Sequence, residues 1–309
     1  MNILSTFTGR LIREFTEKGR FRTARAYASA LAKLSGFLER EACIGDISAE
    51  AVKSYELWMF AVGLAPNTIS FYMRNLRAIY NKAVKAGVAA AASLNPFSDV
   101  YTGVAATAKR ALDEADIQRL VAVLDRNGGK EKREERNALR LFLFCFFAQG
   151  MPFADAILLR KSIVKGKNAI VYMRRKTGKE VIVFITEPMR KIMNSFAAET
   201  RNSPYVFPFI KDVKDAEDEY RKYTVALTTQ NRLLKAVCRT AGLKQPVSTH
   251  VARHSWASLA YCNNVSLAAI SASLGHQNEK TTRIYLNRMN TGATALANQA
   301  IADIFYPKK

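Results

Sequence analysis

The only histidines of this sequence are His250, His254 and His276, and all three fall between residues 250 and 276. Histidines that served only core packing would be scattered, so this clustering indicates a site. His250 and Arg253 are three residues apart, and a helix that begins just before His250 places both on one face. Arginine donates paired hydrogen bonds to oxyanions, and histidine donates a hydrogen bond or exchanges a proton near neutral pH. The pair therefore suits a phosphate in a reacting state.

A tyrosine, Tyr285, follows His276 after nine residues. On one unbroken helix nine residues make about 2.5 turns, which puts the two side chains on opposite faces. They converge only if the helix breaks. Gly275 and the polar run 277–282 provide that break, and one of the threonines in the run is expected to cap a new short helix. Tyr285 is then either a reactive phenol or one more packing residue among its apolar neighbours.

The charge of the chain calls for an anionic partner. The 309 residues carry 47 Lys and Arg against 26 Asp and Glu, a formal net charge of +21. Nucleic acid is the first candidate and an anionic membrane surface a distant second. The longest strongly apolar stretch, 141–148, is far shorter than the ~20 residues of a spanning helix. The four cysteines lack metal-ligand spacing and suggest reduced thiols, and we find no export signal, so we expect a cytoplasmic protein without a membrane partner.

Apolar periodicity predicts two parts separated by a linker. Residues 1–88 read as a small helical bundle, residues 89–110 as a linker without helical or strand period, and residues 111–309 as a mostly helical domain. Alternation around a polar turn in 163–185 predicts a small antiparallel sheet. The fold class is thus mainly α with a small antiparallel sheet. Arg74 and Arg77 lie off the apolar stripe of their helix, so they form either a solvated face or a DNA contact.

These motifs together resemble the tyrosine recombinase (phage integrase) family. The order HxxRH, then LGH, then a tyrosine nine residues on is similar to the pattern that this family carries in its last third. The segments TARAYASALAKLSGFL and NTISFYMRNLRAIYNKAV also look like the family's helical domain. The resemblance implies a SAM-like core-DNA-binding domain over 1–88 and an α+β catalytic domain with a C-terminal helix over 111–309.

The resemblance also assigns roles to residues. Tyr285 matches the nucleophile that attacks a DNA phosphodiester to give a 3′-phosphotyrosine and a free 5′-hydroxyl. His250 and Arg253 match the pair that orients the phosphate and stabilises the transition state, and His276 matches a further hydrogen-bond donor to it. Lys176, in a predicted strand–turn–strand, resembles the general acid that protonates the leaving oxygen; the alternative is an ordinary basic hairpin. The family's chemistry needs no metal ion and no cofactor.

One family residue is missing. The family normally has an arginine in a Gly-x-Arg turn after the first apolar helix of the catalytic domain, and here Pro152 stands in its place, while Asp155 still matches the acidic residue three positions on. Arg140, beside a solidly apolar run, is the first candidate to replace it, unless it pairs with an acid or reaches water; Arg160 is the second. A subgroup of mobile-element integrases resembles this turn and lacks the same arginine, which favours an active enzyme over an inactive one.

The partner implied is double-stranded DNA that carries core recombination sites, bound by a homotetramer on two sites. Arg174, Arg175 and Lys179 crowd the turn around Lys176 and are expected to contact DNA. The segment after Tyr285 is expected to form a helix that packs into a neighbouring protomer or folds back on its own domain. We expect a site-specific recombinase that integrates, excises or inverts DNA. Alternatives are a catalytically weak architectural DNA-binding protein, because of Pro152, and a nucleic-acid hydrolase or type IB topoisomerase.

Overall fold

A computed structural model describes residues 3–89, 95–105, 111–125, 133–165 and 168–286 of the chain. The chain divides into two units, Met1–Thr107 and Ala108–Lys309. Each has its own apolar core, and the elements of each are given separately below.

The first unit is a helical bundle of α1 (Leu4–Glu17), α2 (Phe21–Leu38), α3 (Ala49–Ala61) and α4 (Pro66–Lys85), with a 3-10 turn before α3. Local sequence signals set the helix ends. Ser48 caps α3 by accepting a hydrogen bond from the Ala51 amide, and Pro66, which needs no amide donor, begins α4. The apolar stripe of α4 is buried in the core and comprises Ile69, Met73, Leu76, Ile79, Tyr80 and Ala83.

Part of the predicted linker belongs to this bundle. Phe97 and Val100 are buried in the first core, and the Ser70 hydroxyl donates to the Gly103 carbonyl over 2.6 Å. The short apolar side chains of this segment gave no period, so the sequence did not show that two of its residues are anchors. The rest of the predicted linker, 90–94 and 106–110, lies outside the described residues.

The second unit is built around α6, whose side chains are buried almost all round. Phe142, Phe144 and Cys145 on this helix belong to its core. A helix that is apolar on every side must be covered on every side, which explains why the other elements surround it. They are α5 (Glu114–Asp125), α6 itself (Arg133–Phe147), α7 (Phe153–Ile157), β1 (Val164–Lys165), β2 (Ala169–Met173), β3 (Glu180–Phe184), α8 (Glu187–Ser195), α9 (Ala216–Thr240), α10 (Val251–Cys262), α11 (Leu267–Ser273) and α12 (Glu279–Leu286).

The three strands form one antiparallel sheet in the order β1-β2-β3. Ile170 pairs with Val183 and Tyr172 with Val181, and all four side chains are buried on the face that packs on the helices. This register places the turn 174–179 at the end of the sheet, where its cations meet the site. The predicted fold class, mainly helical with a small antiparallel sheet, is confirmed. None of the helices in the described ranges combines the length and the hydropathy of a transmembrane segment.

Candidate active site

Arg253 on α10 is the buried centre of the site, with 1% of its surface exposed. Its Nη1 donates to the Gly150 carbonyl over 3.0 Å. Its Nη2 donates to the Leu274 carbonyl over 2.5 Å and lies 2.9 Å from Nε2 of His276. These contacts fix the plane of the guanidinium and join two turns distant in sequence. The structure therefore brings the side chains of Arg253 and His276 together.

Two glycines, Gly150 and Gly275, allow the backbone to pass close to the side chains of Arg253 and Arg174. Gly150 has φ +69°, and a Cβ there would lie 2.9 Å from Cα of Arg253. Gly275 has φ +61°, and a Cβ there would lie 2.8 Å from Cγ2 of Val181 and 3.0 Å from Cδ of Arg174. A side chain at either position would meet both a strained backbone conformation and a filled space.

The expected helix break is present between α11 and α12. α11 ends at Ser273, Gly275 follows in the left-handed conformation, and α12 begins at Glu279. The prediction that Thr281 or Thr282 caps this helix was wrong, because both lie inside α12, and Thr282 is fully buried. Its hydroxyl instead lies 2.8 Å from Nδ1 of His276.

His276 is buried, with 5% of its surface exposed, and both ring nitrogens are engaged by Arg253 and Thr282. Burial, followed by the charges of Arg253, Arg174 and two nearby lysines, lowers its pKa to about 4. The imidazole is therefore neutral at pH 7. A neutral ring offers one N–H donor and one acceptor, and this limits what it can do for a phosphate.

His250 precedes the first residue of α10 and reaches solvent at one side of the site. The protein packed round the rest of the ring lowers its pKa, and the charges of Arg253, Lys176 and Arg174 lower it further. Its ring meets that of His254 edge to face, with centroids 4.7 Å apart. His250 is thus a neutral, accessible hydrogen-bonding group beside three cations.

We expect His276 to titrate near pH 4 and His250 below its ordinary 6.5. The chain has three histidines, so a pH titration followed by NMR of the imidazole signals resolves each, with His276→Gln assigning one. Because His276 takes up a proton less readily when folded than when unfolded, folding stability falls as pH drops from about 6.5 towards 4. A His276 midpoint at or above 6.5 would contradict the site described here.

The hairpin turn between β2 and β3 grips the turn that carries His276. Arg174 Nη1 and Thr177 Oγ1 both donate to the Gly275 carbonyl over 3.1 Å, and Lys179 Nζ donates to the His276 carbonyl over 2.9 Å. Arg174 is buried, with 6% of its surface exposed, because the Gly275 turn packs over it. Its predicted contact with DNA stays a prediction. Lys179 remains exposed, although its Nζ is hydrogen-bonded to the same turn.

The two other cations of this turn have different surroundings. Arg175 forms an ion pair with Glu219, and its amide donates to the Asp155 carboxylate over 3.2 Å. Lys176 is exposed at the turn, and its charge lowers the pKa of both His250 and His276. The structure therefore brings Lys176 to the site.

Asp155, three residues after Pro152, is buried below the site. Burial raises its pKa, while the Arg175 amide and the charges of Arg174, Arg175 and Arg253 act in the opposite direction. The carboxylate thus lies within the fields of both buried arginines, Arg174 and Arg253. Its contacts are those of a structural partner.

The structure does not bring the two candidate replacements for the missing arginine to these histidines. Arg140 donates to Asn137 over 2.9 Å and lies over the Phe196 ring, and the charges that act on it are those of Arg136, Glu199 and Arg133. Arg160 lies over the ring of Tyr205. The other buried guanidinium near the two histidines is that of Arg174, which the sequence predicted only as one of several DNA contacts.

Arg174 has an unused hydrogen-bond donor that could serve an anion. Its Nε–H is buried and donates to no partner in the described structure, while its charge acts on His250, His276, Asp155 and Tyr172. Arg253 acts on the same four groups, so both guanidinium groups lie close to this set of residues. Little in the sequence indicated that Arg174 is the buried one, because the segment RRKTGK contains four cations that look equivalent.

The remaining predicted site residues are Tyr285 in α12 and the two arginines of α4. Tyr285 lies in α12, three residues after Thr282, and its side chain is outside the described part of the structure. In the first unit, Arg74 Nε donates to the Ser70 carbonyl over 3.2 Å and Arg77 Nη1 lies 3.4 Å from the Thr102 hydroxyl. Both contacts are local to α4 and its surroundings and leave the predicted DNA role as a prediction.

Comparisons with known proteins agree on one family. Residues 110–291 match the model of the phage integrase family, and residues 4–99 match that of the phage integrase SAM-like domain. The tyrosine recombinase XerD of Rhizobium meliloti is 24% identical over 277 residues, which cover 85% of this chain and 84% of that protein. The XerD of Caulobacter vibrioides is 25% identical over 286 residues, again 85% of each chain.

Solved structures share the fold. The XerH site-specific recombinase bound to a palindromic difH substrate, in a post-cleavage complex, has a TM-score of 0.67 at 16% identity over 89% of this chain and 80% of that one. The Tn1549 transposon integrase in complex with transposon right end DNA has a TM-score of 0.62 at 15% identity over 96% and 99%.

A helical unit, followed by a helical unit with a small sheet whose hairpin cations meet an arginine–histidine pocket, defines a class of DNA strand-exchanging enzymes. The match of one family model to more than half of the chain shows that the chain belongs to the phage integrase family. It is a site-specific tyrosine recombinase.

Proposed function

We propose that this enzyme cuts and rejoins DNA through Tyr285. The Tyr285 hydroxyl attacks the scissile phosphorus, the bond to the 5′-oxygen breaks, and a 3′-phosphotyrosine forms. Lys176 gives a proton to the departing 5′-oxygen, and the tyrosine's own proton passes to a base or water. A 5′-hydroxyl from a second strand then reverses the step. The phosphoester bond energy is kept, so the reaction needs no external energy source.

The observation that carries this proposal is the pocket of Arg253, Arg174, His250 and Lys176. Two buried guanidinium groups carry two positive charges, and the Asp155 carboxylate can balance only one of them, so a further anion would be favourable here. A phosphate supplies that anion, and the charge that develops on it in the transition state is stabilised by preorganised donors. Arg174 thus takes over, from another part of the chain, the work of the arginine that Pro152 replaces.

Lys176 is the group suited to proton transfer in this pocket. An arginine stays protonated at any pH of interest, whereas a lysine beside a phosphate can release its proton. The exposed position of Lys176 at the hairpin turn lets it reach a bound strand. Its neighbour Lys179, held by the His276 carbonyl, is less free to do so.

The partner we propose is double-stranded DNA with core recombination sites, bound by four protomers on two sites. The first unit, with Arg74 and Arg77 on α4, would contact the core DNA as a SAM-like domain, and Arg175 would contact the backbone near the hairpin. The C-terminal segment after α12 would join protomers. That the gene belongs to a mobile element and that the protein acts in the cytoplasm remain predictions.

A nicked DNA substrate, whose short 5′ fragment diffuses away after cleavage, tests this function. We expect wild-type protein to accumulate a covalent protein–DNA adduct and, with two intact sites, to exchange strands between them. Binding without any adduct would instead indicate an architectural protein. Relaxation of supercoiled DNA without sequence choice would indicate a topoisomerase. Affinity should fall steeply with salt, because each phosphate contact releases counterions.

A further inference from the structure

Thr282 connects the helix of the nucleophile to the phosphate pocket. It lies in α12, three residues before Tyr285, and its side chain is fully buried. A threonine hydroxyl that is excluded from water needs a partner. Its partner is the imidazole of His276, with 2.8 Å between Oγ1 and Nδ1.

The neighbours of His276 determine which nitrogen carries the proton. The Arg253 guanidinium donates and never accepts, and it lies 2.9 Å from Nε2, so Nε2 must present its lone pair. A neutral imidazole has one N–H, which therefore sits on Nδ1 and donates to the Thr282 oxygen. In the DNA-free protein, the nitrogen of His276 that faces the pocket, Nε2, is therefore a hydrogen-bond acceptor and not a donor.

Binding of a phosphate reverses this requirement. Arg253 would turn Nη2 to the phosphate, and His276 can then assist only with a hydrogen on Nε2. For that tautomer Nδ1 must accept, and the partner at Nδ1 must donate. A hydroxyl does both by rotating its hydrogen, while the proton itself moves between the ring nitrogens through water, with no net change in charge.

We propose that Thr282 is a positioning residue that holds His276 in either tautomer, as acceptor before DNA binds and as donor afterwards. This inference rests on the proposed function, because only a bound phosphate calls for the second tautomer. The same hydrogen bond fixes the imidazole to the helix that carries Tyr285. Filling of the pocket and placement of the nucleophile are then linked through one side chain.

The first test uses the wild-type protein without DNA. Two-bond ¹H–¹⁵N NMR correlations identify the ring nitrogen that carries the hydrogen, and we expect Nδ1–H for His276 at pH 7. With a bound DNA whose scissile phosphate cannot be cleaved, we expect Nε2–H. A hydrogen on Nε2 in the free protein, or an unchanged Nδ1–H in the complex, would overturn the proposal. Neither reading depends on whether Tyr285 reacts, so failure of the proposed chemistry is seen separately.

The second test uses a matched pair of variants. Thr282→Val has nearly the same shape but no hydroxyl, and Thr282→Ser keeps the hydroxyl. We expect Val to slow adduct formation by about 10- to 100-fold with DNA binding retained, by analogy with the effect of losing the hydrogen-bond partner of a metal-ligating histidine. Ser should stay within a few-fold of wild type. Because both variants alter packing, the effect of the hydroxyl is measured by the ratio of their rates of adduct formation.

A background without ring nitrogens separates positioning from packing. In His276→Phe the hydroxyl of Thr282 has no imidazole to hold, so adding Thr282→Val should cause no further loss. An equal fold-loss in both backgrounds would show that Thr282 acts on packing alone. If Thr282→Val, made in the protein that retains His276, formed the adduct as fast as wild type, the inference would be refuted as well.

Discussion

Arg174→Ala should slow formation of the covalent adduct by about 10²- to 10³-fold, the usual effect of removing one donor to a developing oxyanion. The guanidinium is buried beside Gly275, its Nε has no partner among the described residues, and its charge reaches both site histidines. Arg253 and Lys176 act on the same two histidines, but of these three cations only the two arginines are buried. Single-turnover cleavage of the nicked substrate at saturating protein measures the effect.

Two further variants frame this result. Arg140→Ala should cleave within a few-fold of wild type, because its guanidinium is engaged by Asn137 and Phe196 instead. Arg174→Lys keeps the charge without the planar fork and should fall between wild type and Ala. If Arg140→Ala lost activity while Arg174→Ala kept it, the missing arginine would be replaced from α6 after all.

Lys176→Ala should lose about 10²- to 10⁴-fold in cleavage, the usual contribution of a positioned general acid. The loss should disappear when sulfur replaces the 5′-bridging oxygen of the scissile phosphate. A thiol ionises near pH 8.5, so a thiolate leaves without a proton, whereas an alkoxide does not. The measurement compares cleavage of the oxygen and sulfur substrates by the same variant.

The matched control is Arg174→Ala, which acts on the phosphate and not on the leaving group. It should remain slow with the sulfur substrate. Lys179→Ala tests the neighbouring lysine, whose Nζ is held by the His276 carbonyl; its defect should not respond to sulfur either. Rescue of Lys179→Ala but not of Lys176→Ala would move the proton donor to Lys179.

Short-range patterns were sufficient to predict most elements and half of the site. The stripe of α4, the break at Gly275 and the closeness of His250 to Arg253 follow from helical periodicity and from glycine's access to positive φ. These features depend on residues a few positions apart, so they can be predicted from the sequence alone.

The remainder depends on contacts between distant segments. Arg174 and Gly275 are about a hundred positions apart, and only their packing distinguishes Arg174 from three other cations of the same turn. Arg140 looked like a charge in need of an anion, but an amide and an aromatic ring satisfy it. Thr282 looked like a helix cap, and its actual partner is His276. Each error arose where a polar group could find a partner that linear spacing does not show.

The most direct test of the central claim locates the covalent bond. The adduct trapped on the nicked substrate is digested with protease and nuclease, and mass spectrometry identifies the residue that carries the nucleotide. We expect a phosphotyrosine at Tyr285, and no adduct from Tyr285→Phe at undiminished DNA affinity. A nucleotide on any other side chain, or an adduct that survives Tyr285→Phe, would contradict the account.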